Sequence, residues 1–277
     1  MKEFRLKKIW GIVISLLLVP ALLLTGCSKQ VHDPLTMENL AGKRIGVMNG
    51  YSSDYIFCMD EYKSYNLQLY RFDMYSDMEL ALRFNRLDAA SMENDEAYVF
   101  CRIMPDFVIQ LVPVNDMEFG YPFCADKTEL LAQFNQWVKD FRKTAEYTDI
   151  VKRVEATREA PYQAKKIENI VTTDKVLKVG LFDGWEPVSY INTATDEWEG
   201  SDIELITYFA NSLGAKVELE PKSYQQMLIE LGNGMLDVML CPETLLYQKD
   251  MEMGSNVTMS DGVFLKDIVL LVNKEEP

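Results

Sequence analysis

Between Val176 and Lys249 the spacing of apolar residues alternates between the two-residue period of a strand and the wider period of a helix. Leu177-Lys-Val-Gly-Leu-Phe182 predicts a buried strand, which runs into the turn-forming Asp-Gly-Trp-Glu-Pro187. From Gly200 to Gly214, Ile203, Ile206, Phe209, Ala210 and Leu213 share one helical face, with Asp202 in the first turn and Gly214 as the stop. A strand over Lys216 to Glu220, a helix over Tyr224 to Leu231 and a strand over Leu236 to Leu240 follow, the last opening into Cys241-Pro-Glu-Thr244. Strands alternating with helices build a parallel sheet, and ligands on such sheets sit at the carboxyl ends of the strands. The polar and aromatic residues of this segment fall in those loops.

In its order and spacing the segment resembles the extracellular solute-binding proteins that serve amino-acid ABC importers. The matching features are Trp185-Glu-Pro187, Gly200-Ser-Asp202 followed by Leu205, Leu213-Gly214, Tyr224, Gly234-Met-Leu-Asp-Val238 and Thr244. They correspond to the first lobe of a two-lobed α/β fold, the clamshell-like periplasmic-binding-protein type 2 fold. Leu40 to Ser53, with its Gly-Lys-Arg-Ile-Gly-Val core, resembles the start of the second lobe. A helix from about Asp54, a strand near Leu67 to Arg71, a helix over Ser76 to Phe84 and the strand Arg86 to Glu93 continue it. Phe119 to Cys124 resembles the return crossover, and Glu129 to Val154 the closing helices.

The halves stand in reverse order relative to that family. The strand Asp267 to Asn273 would lead into Leu40 to Lys43, yet both chain ends lie at that junction, while Glu155 to Asp174 bridges the family's natural ends. The economical reading is a circular permutation cut at the hinge, which domains tolerate because their termini are superficial. It predicts a monomer in which Asp267 to Asn273 lies beside Phe119 to Cys124. The alternative is two half-domains that complement each other between chains. The expected organisation is an export signal over residues 1–26, a tether over 27–38, a second-lobe-like domain over 39–116, the crossover, closing helices and linker over 117–172, and a first-lobe-like domain over 173–277.

The N-terminus has the shape of an export signal: Lys2, Arg5, Lys7 and Lys8 precede an apolar run from Ile9 to Leu24. Leu24-Thr-Gly-Cys27 resembles a bacterial lipobox, which implies acylation of Cys27 and a lipid-anchored protein outside the cytoplasmic membrane. A plain cleaved signal and a signal-anchor helix are the alternatives. Without residues 1–26 the chain carries 24 basic and 42 acidic side chains, a net charge of −18. Such a balance argues against nucleic acid and anionic head groups as partners. Cys58, Cys101, Cys124 and Cys241 show no dense framework, so buried free thiols are expected, with Cys58 and Cys101 the pair to test for a bridge. The single histidine, His32, lies in the tether, and no Cys-x-x-Cys exists, so neither zinc nor any other metal or cofactor is expected.

The resemblance implies ligand-binding roles for Trp185 and Tyr224 as aromatic walls, for Thr244 at a ligand carboxylate, for Asn49, Ser52 and Ser53 at a helix N-terminus, and for Glu93 at an α-amino group. Each has a structural alternative: core packing for the aromatics and an N-cap for Thr244. The family's carboxylate-gripping arginine is replaced by Lys249, which offers charge without the planar fork. Pro242 and Glu243 also depart from the small residues found there. The leading function is reversible binding of a small polar, amino-acid-like solute for an ABC permease or a membrane sensor. An enzyme on the same scaffold would need a general acid or base, for which Glu93, Glu186 and Glu243 are the candidates; no catalytic residue is expected. A module without a small-molecule ligand is the third class.

Overall fold

The structure, a computed structural model, describes residues 34–246 and 256–274. Residues 1–26, Cys27 and Lys249, on which the signal, the lipid site and the carboxylate grip depend, lie outside them. In chain order the strands are β1 Arg44–Met48, β2 Gln68–Phe72, β3 Ala89–Glu93, β4 Phe107–Gly120, β5 Pro122–Cys124 and β6 Val176–Leu181. They continue with β7 Tyr190–Asn192, β8 Glu197–Glu199, β9 Lys216–Pro221, β10 Val238–Leu240, β11 Glu243–Thr244, β12 Val257–Met259 and β13 Phe264–Asn273. The helices Ser52–Phe57, Tyr75–Arg83 and Asn94–Ile103 intervene in the first half, and Ser201–Leu213 and Tyr224–Gly232 in the second. Thr128–Phe141 and Ala145–Glu155 lie between.

Two large sheets result, each defining a lobe, beside the small β7-β8 pair. The N-lobe sheet has the order β11-β4-β13-β3-β1-β2, and the C-lobe sheet the order β12-β5-β10-β6-β9. Within each, the strands joined by helices run parallel: β2, β1 and β3 in one, β9, β6 and β10 in the other. Both faces of each sheet are covered. In the C-lobe, Phe134, Phe209, Ile206, Val179 and Phe123 form one core, and Met227, Leu231, Leu236 and Met239 pack on the opposite face. In the N-lobe, Ile45, Val47, Phe119 and Ile268 pack one face, and Met78, Leu82, Leu87 and Val269 the other.

The two lobes solve the same packing problem with the same residue types. Gly46 of β1 sits under Met78 and Leu87, so that a methyl group there would stand 2.6 Å from the Leu87 Cδ1 atom. Gly180 of β6 sits under Met227 and Leu236, with the corresponding distance 2.7 Å. In each, an aspartate just before the third strand accepts a backbone N–H from the first, Asp88 from Arg44 and Asp237 from Lys178.

The expected strands and helices of both halves are present, with ends shifted by a few residues. The register of the hinge differs from the expected one. Strand β13 lies between β3 and β4, and it is Phe264 to Lys266 that face Phe119 to Met117, whereas Ile268 to Asn273 face Val114 to Phe107. The cause is the length of β4, fourteen residues, which carries the pairing back to Phe107. A bulge at Asp116, whose φ is 52°, is held by its N–H donating to Asp267 Oδ1. The thiols also differ from expectation. All four described cysteines are free, but Cys58 is exposed beside Arg71, Cys101 is half-buried, and only Cys124 and Cys241 are buried.

Beyond the turn Ala156–Arg158, residues 159–175 have no regular structure, yet their backbone is tied down. Glu204, on the C-lobe helix, receives both Arg153 nitrogens at 2.6 Å, the Tyr162 hydroxyl at 3.1 Å and the Lys165 N–H at 2.8 Å. Further along, Asn211 Oδ1 accepts from Ile170, and the Gly214 carbonyl accepts from Thr172 and Thr173. Paired backbone groups are what let so long a connection lie against the protein.

Candidate functional site

The segments that follow β3 and β6 meet between the lobes, where the Trp185 indole donates to Glu96. On the N-lobe side, β3 passes into the helix Asn94–Ile103 without a loop. Asn94 Oδ1 accepts the Asp95 N–H and Asp95 Oδ1 accepts the Glu96 N–H, so the polar side chains at the junction satisfy the first free amides of the helix. That junction delivers Glu93, Asp95 and Glu96 to the edge of the cleft, with the acidic pair at the favourable end of the helix dipole.

Lys266 of β13 is the buried counter-charge. Its ammonium lies 2.9 Å from Glu93 Oε2 and 2.8 Å from Asp95 Oδ2, and Ser52 Oγ donates to Glu93 Oε1 at 2.9 Å. Both oxygens of Glu93 are therefore occupied by groups of its own lobe. Burial opposes the charge on Lys266, but Asp95 and Glu93 outweigh it and hold the ammonium well above its ordinary range. Burial still raises Glu93. Glu96 accepts from Tyr75 at 2.7 Å and, across the cleft, from the Trp185 indole at 3.1 Å. Burial, then the charges of Glu93 and Asp95, push its carboxyl up to about 8.

Glu243, on the edge strand β11 of the N-lobe sheet, receives the hydroxyl of the C-lobe's Tyr224 at 3.1 Å, and burial followed by Glu93 lifts its carboxyl to about 7. Trp185 packs edge to face on Phe182 at 5.8 Å and borders the core around Met227. Glu186 pairs with Arg102 at 2.8 Å, and Arg102 also donates to the carbonyls of Thr157 and Ala160. Arg158 stacks over Tyr98 at 3.9 Å. One helix, Asn94–Ile103, thus carries Glu96, Tyr98 and Arg102, the contacts that hold the lobes closed.

Ser52, Ser53 and Glu93 share a small void with Ser91 and Glu96, and Trp185 reaches the same carboxyl from the other lobe. Tyr224 reaches Glu243. Thr244 is fully buried, lies opposite Phe119 at the edge of the N-lobe sheet and accepts the Leu246 N–H. Asn49 turns away to Asp73, and Asp54 in the first turn of the helix Ser52–Phe57 accepts the N–H of Gly50 in the preceding loop. Sequence reasoning missed Glu96, Tyr75, Arg102 and Lys266. Lys266 had a legible signal: a lysine within the apolar strand Phe264–Asn273 has to be paired when buried. Among the described residues no group of three His, Cys, Asp or Glu side chains could hold a metal ion, and no helix is long and apolar enough to cross a membrane.

Residues 177–276 match the model of the bacterial extracellular solute-binding proteins, family 3. No curated protein matches the chain. Among solved structures, the chain is similar to the periplasmic domain of BvgS from B. pertussis, with 11% identity and a TM-score of 0.40 over 90% of this chain and 42% of that one. It therefore spans less than half the length of that protein. It is also similar to the aliphatic sulphonate binding protein SsuA from Escherichia coli, with 12% identity and a TM-score of 0.41 over 84% of this chain and 65% of that one. A third is the GluR0 ligand binding core in complex with L-glutamate, with 11% identity and a TM-score of 0.40 over 85% of this chain and 86% of that one.

Proposed function

We propose, from the premise that residues 177–276 belong to family 3 of the bacterial extracellular solute-binding proteins, that this chain binds a small polar solute between its lobes. Closure over the solute then delivers it to an ABC permease or reports it to a membrane sensor, with Cys27 as the lipid anchor. The observation that carries this reading is the convergence of Glu93, Glu96, Ser52 and Glu243 from the N-lobe sheet and its helices with Trp185 and Tyr224 from the C-lobe. A few polar groups between aromatic walls is the composition of a small-molecule site. The test is a thermal-shift screen of residues 28–277 against amino acids, oligopeptides, polyamines and organic acids. A true ligand at ~100 times its dissociation constant adds ~2.7 kcal/mol; a protein that no class stabilises is not a solute binder. Cys27→Ala should release the protein from the membrane fraction, and unchanged fractionation removes the anchor.

The order of the halves fits a circular permutation. Strand β13 leaves the C-lobe and inserts beside β3, and β4 returns beside it. The tied-down linker spans the family's natural ends. Light scattering should find a monomer; an obligate dimer would instead support complementation between chains.

A further inference from the structure

We propose a second small-molecule site, in a cavity along the helix Ala145–Glu155, that takes an extended ω-amino carboxylate with its anionic end on Arg142 and its cationic end at Glu155. It goes beyond the solute reading above. The cavity shares none of the residues whose convergence carries that reading.

The first observation is the shape. The cavity measures about 300 Å³, at the lower end of the range for small-molecule sites. Tyr147, Val151 and Val154 line it at the i, i+4, i+7 spacing of a single helical face, and Glu155 closes that stripe. Tyr147 and Glu155 stand about 12 Å apart along the helix axis, at 1.5 Å of rise per residue. A volume of this size spread over that length is narrow, and the occupant it suits is an extended chain. Phe264, stacked on Tyr147 at 6.2 Å, adds apolar surface. Asn94 and Tyr98 line the cavity from the N-lobe helix, so an occupant touches both lobes and holds them together.

The second observation is where charge is satisfied and where it is not. Asp95, Asp202 and Lys266 form the polar wall of the cavity, and each has its partner within the protein. Lys266 pairs with Asp95 at 2.8 Å, and Asp202 accepts the Tyr121 hydroxyl at 2.6 Å and the Ser201 hydroxyl at 2.8 Å. The middle of the cavity therefore suits an uncharged stretch of the occupant. The ends differ. Glu155 is exposed, and its carboxylate has no hydrogen-bond or ion-pair partner among the described residues. Arg142 gives Nη1 to the Gly262 carbonyl at 3.0 Å and stands 3.6 Å from the exposed Glu118, which leaves N–H groups of its fork for a carboxylate.

The helix dipole runs the same way. Arg142 lies before the N-terminus of the helix Ala145–Glu155, where an anion is favoured, and Glu155 is its last residue, where a cation is. An occupant with one charge leaves the other end bare, and a zwitterion with adjacent charges cannot reach both. A carboxylate and an ammonium separated by several methylenes meet both ends and lay their apolar chain along Tyr147, Val151 and Val154.

The experiment is calorimetry on the full chain, purified in detergent, with ε-aminocaproate as the probe. Caproate, hexylamine and β-alanine should each bind at least tenfold more weakly than the probe. Arg142→Gln should weaken ε-aminocaproate at least tenfold and leave hexylamine as it was, whereas Glu155→Gln should weaken it by a similar factor and leave caproate as it was. Glu155→Gln removes no contact of the folded protein, so it keeps the test open where Arg142→Gln fails to fold. Trp185→Ala, at the solute cleft, should leave the affinity for the probe unchanged. Binding that is lost in Trp185→Ala and kept in both end variants places the probe in the cleft, which overturns the second site and leaves solute binding standing. Caproate or hexylamine binding as tightly as the probe overturns the two-ended match. No heat of binding from ε-aminocaproate overturns the site as well, whatever the solute screen finds.

Discussion

Lys266 shows how much one side chain decides. Its ammonium is 5% exposed, bridges Glu93 and Asp95, and lies 5.1 Å from the Phe119 ring. Lys266→Met would leave two carboxyl groups buried without their cation, which costs about 3–5 kcal/mol. Urea denaturation should show the loss, and a variant as stable as the parent would remove Lys266 as the organiser of this wall. Gly46 and Gly180 give a second residue-level prediction. An alanine at either would press on a leucine and a methionine, and overpacking of this kind costs about 1–3 kcal/mol. Similar costs in the two lobes are expected, since the contacts are alike. At this scale the sequence was partly legible. Trp185 and Glu93 were singled out from the sequence, but the groups they bond are distant in the chain, Glu96 for Trp185 at a separation of 89 residues and Lys266 for Glu93 at 173.

Among the elements, the linker carries the clearest consequence. Its 159–175 stretch has no helix or strand of its own, so its order depends on Glu204 and Asn211 of the helix Ser201–Leu213. Glu204→Gln would leave Arg153 without its bidentate partner and should destabilise the protein by about 3 kcal/mol. Limited proteolysis should then cut within 159–172, whereas the parent should resist cleavage there. If the variant keeps its stability and its resistance, the linker is held by something else. The amphipathic helices and alternating strands were readable because a periodic apolar face is a local property. The paired short strands β7 and β8 and the edge strands β11 and β12 were not foreseen, since two or three residues carry too little periodicity.

For the whole molecule, the closed cleft and the acidity of the cluster are linked. Glu96 and Glu243 have folded-state pKa values above those of unfolded carboxyls, so between about pH 4.5 and their folded values the native state binds more protons than the unfolded one. Stability of the unliganded protein therefore falls as pH rises from 5 to 8. The melting temperature should drop across that range, and Glu96→Gln should flatten the drop; a parent protein that grows more stable toward pH 8 would contradict the burial of these acids. The lobes are held shut by Arg102 on Glu186, Thr157 and Ala160, and by Trp185 on Glu96. Arg102→Met should shift the unliganded protein toward an open form, seen as a larger radius of gyration in small-angle scattering. No change in radius would place the hinge strands in control of closure.

The sequence by itself determined the alternation of strands and helices and the two-lobed α/β class. Those follow from the period of apolar residues and from residues adjacent in the chain. The tertiary structure alone decided the register of β13 against the long strand β4, the pairing of Lys266 with Glu93 and Asp95, and the meeting of Glu96 with Trp185. Each joins residues distant in the chain, and burial then converts their proximity into shifted protonation, a quantity that no local pattern encodes.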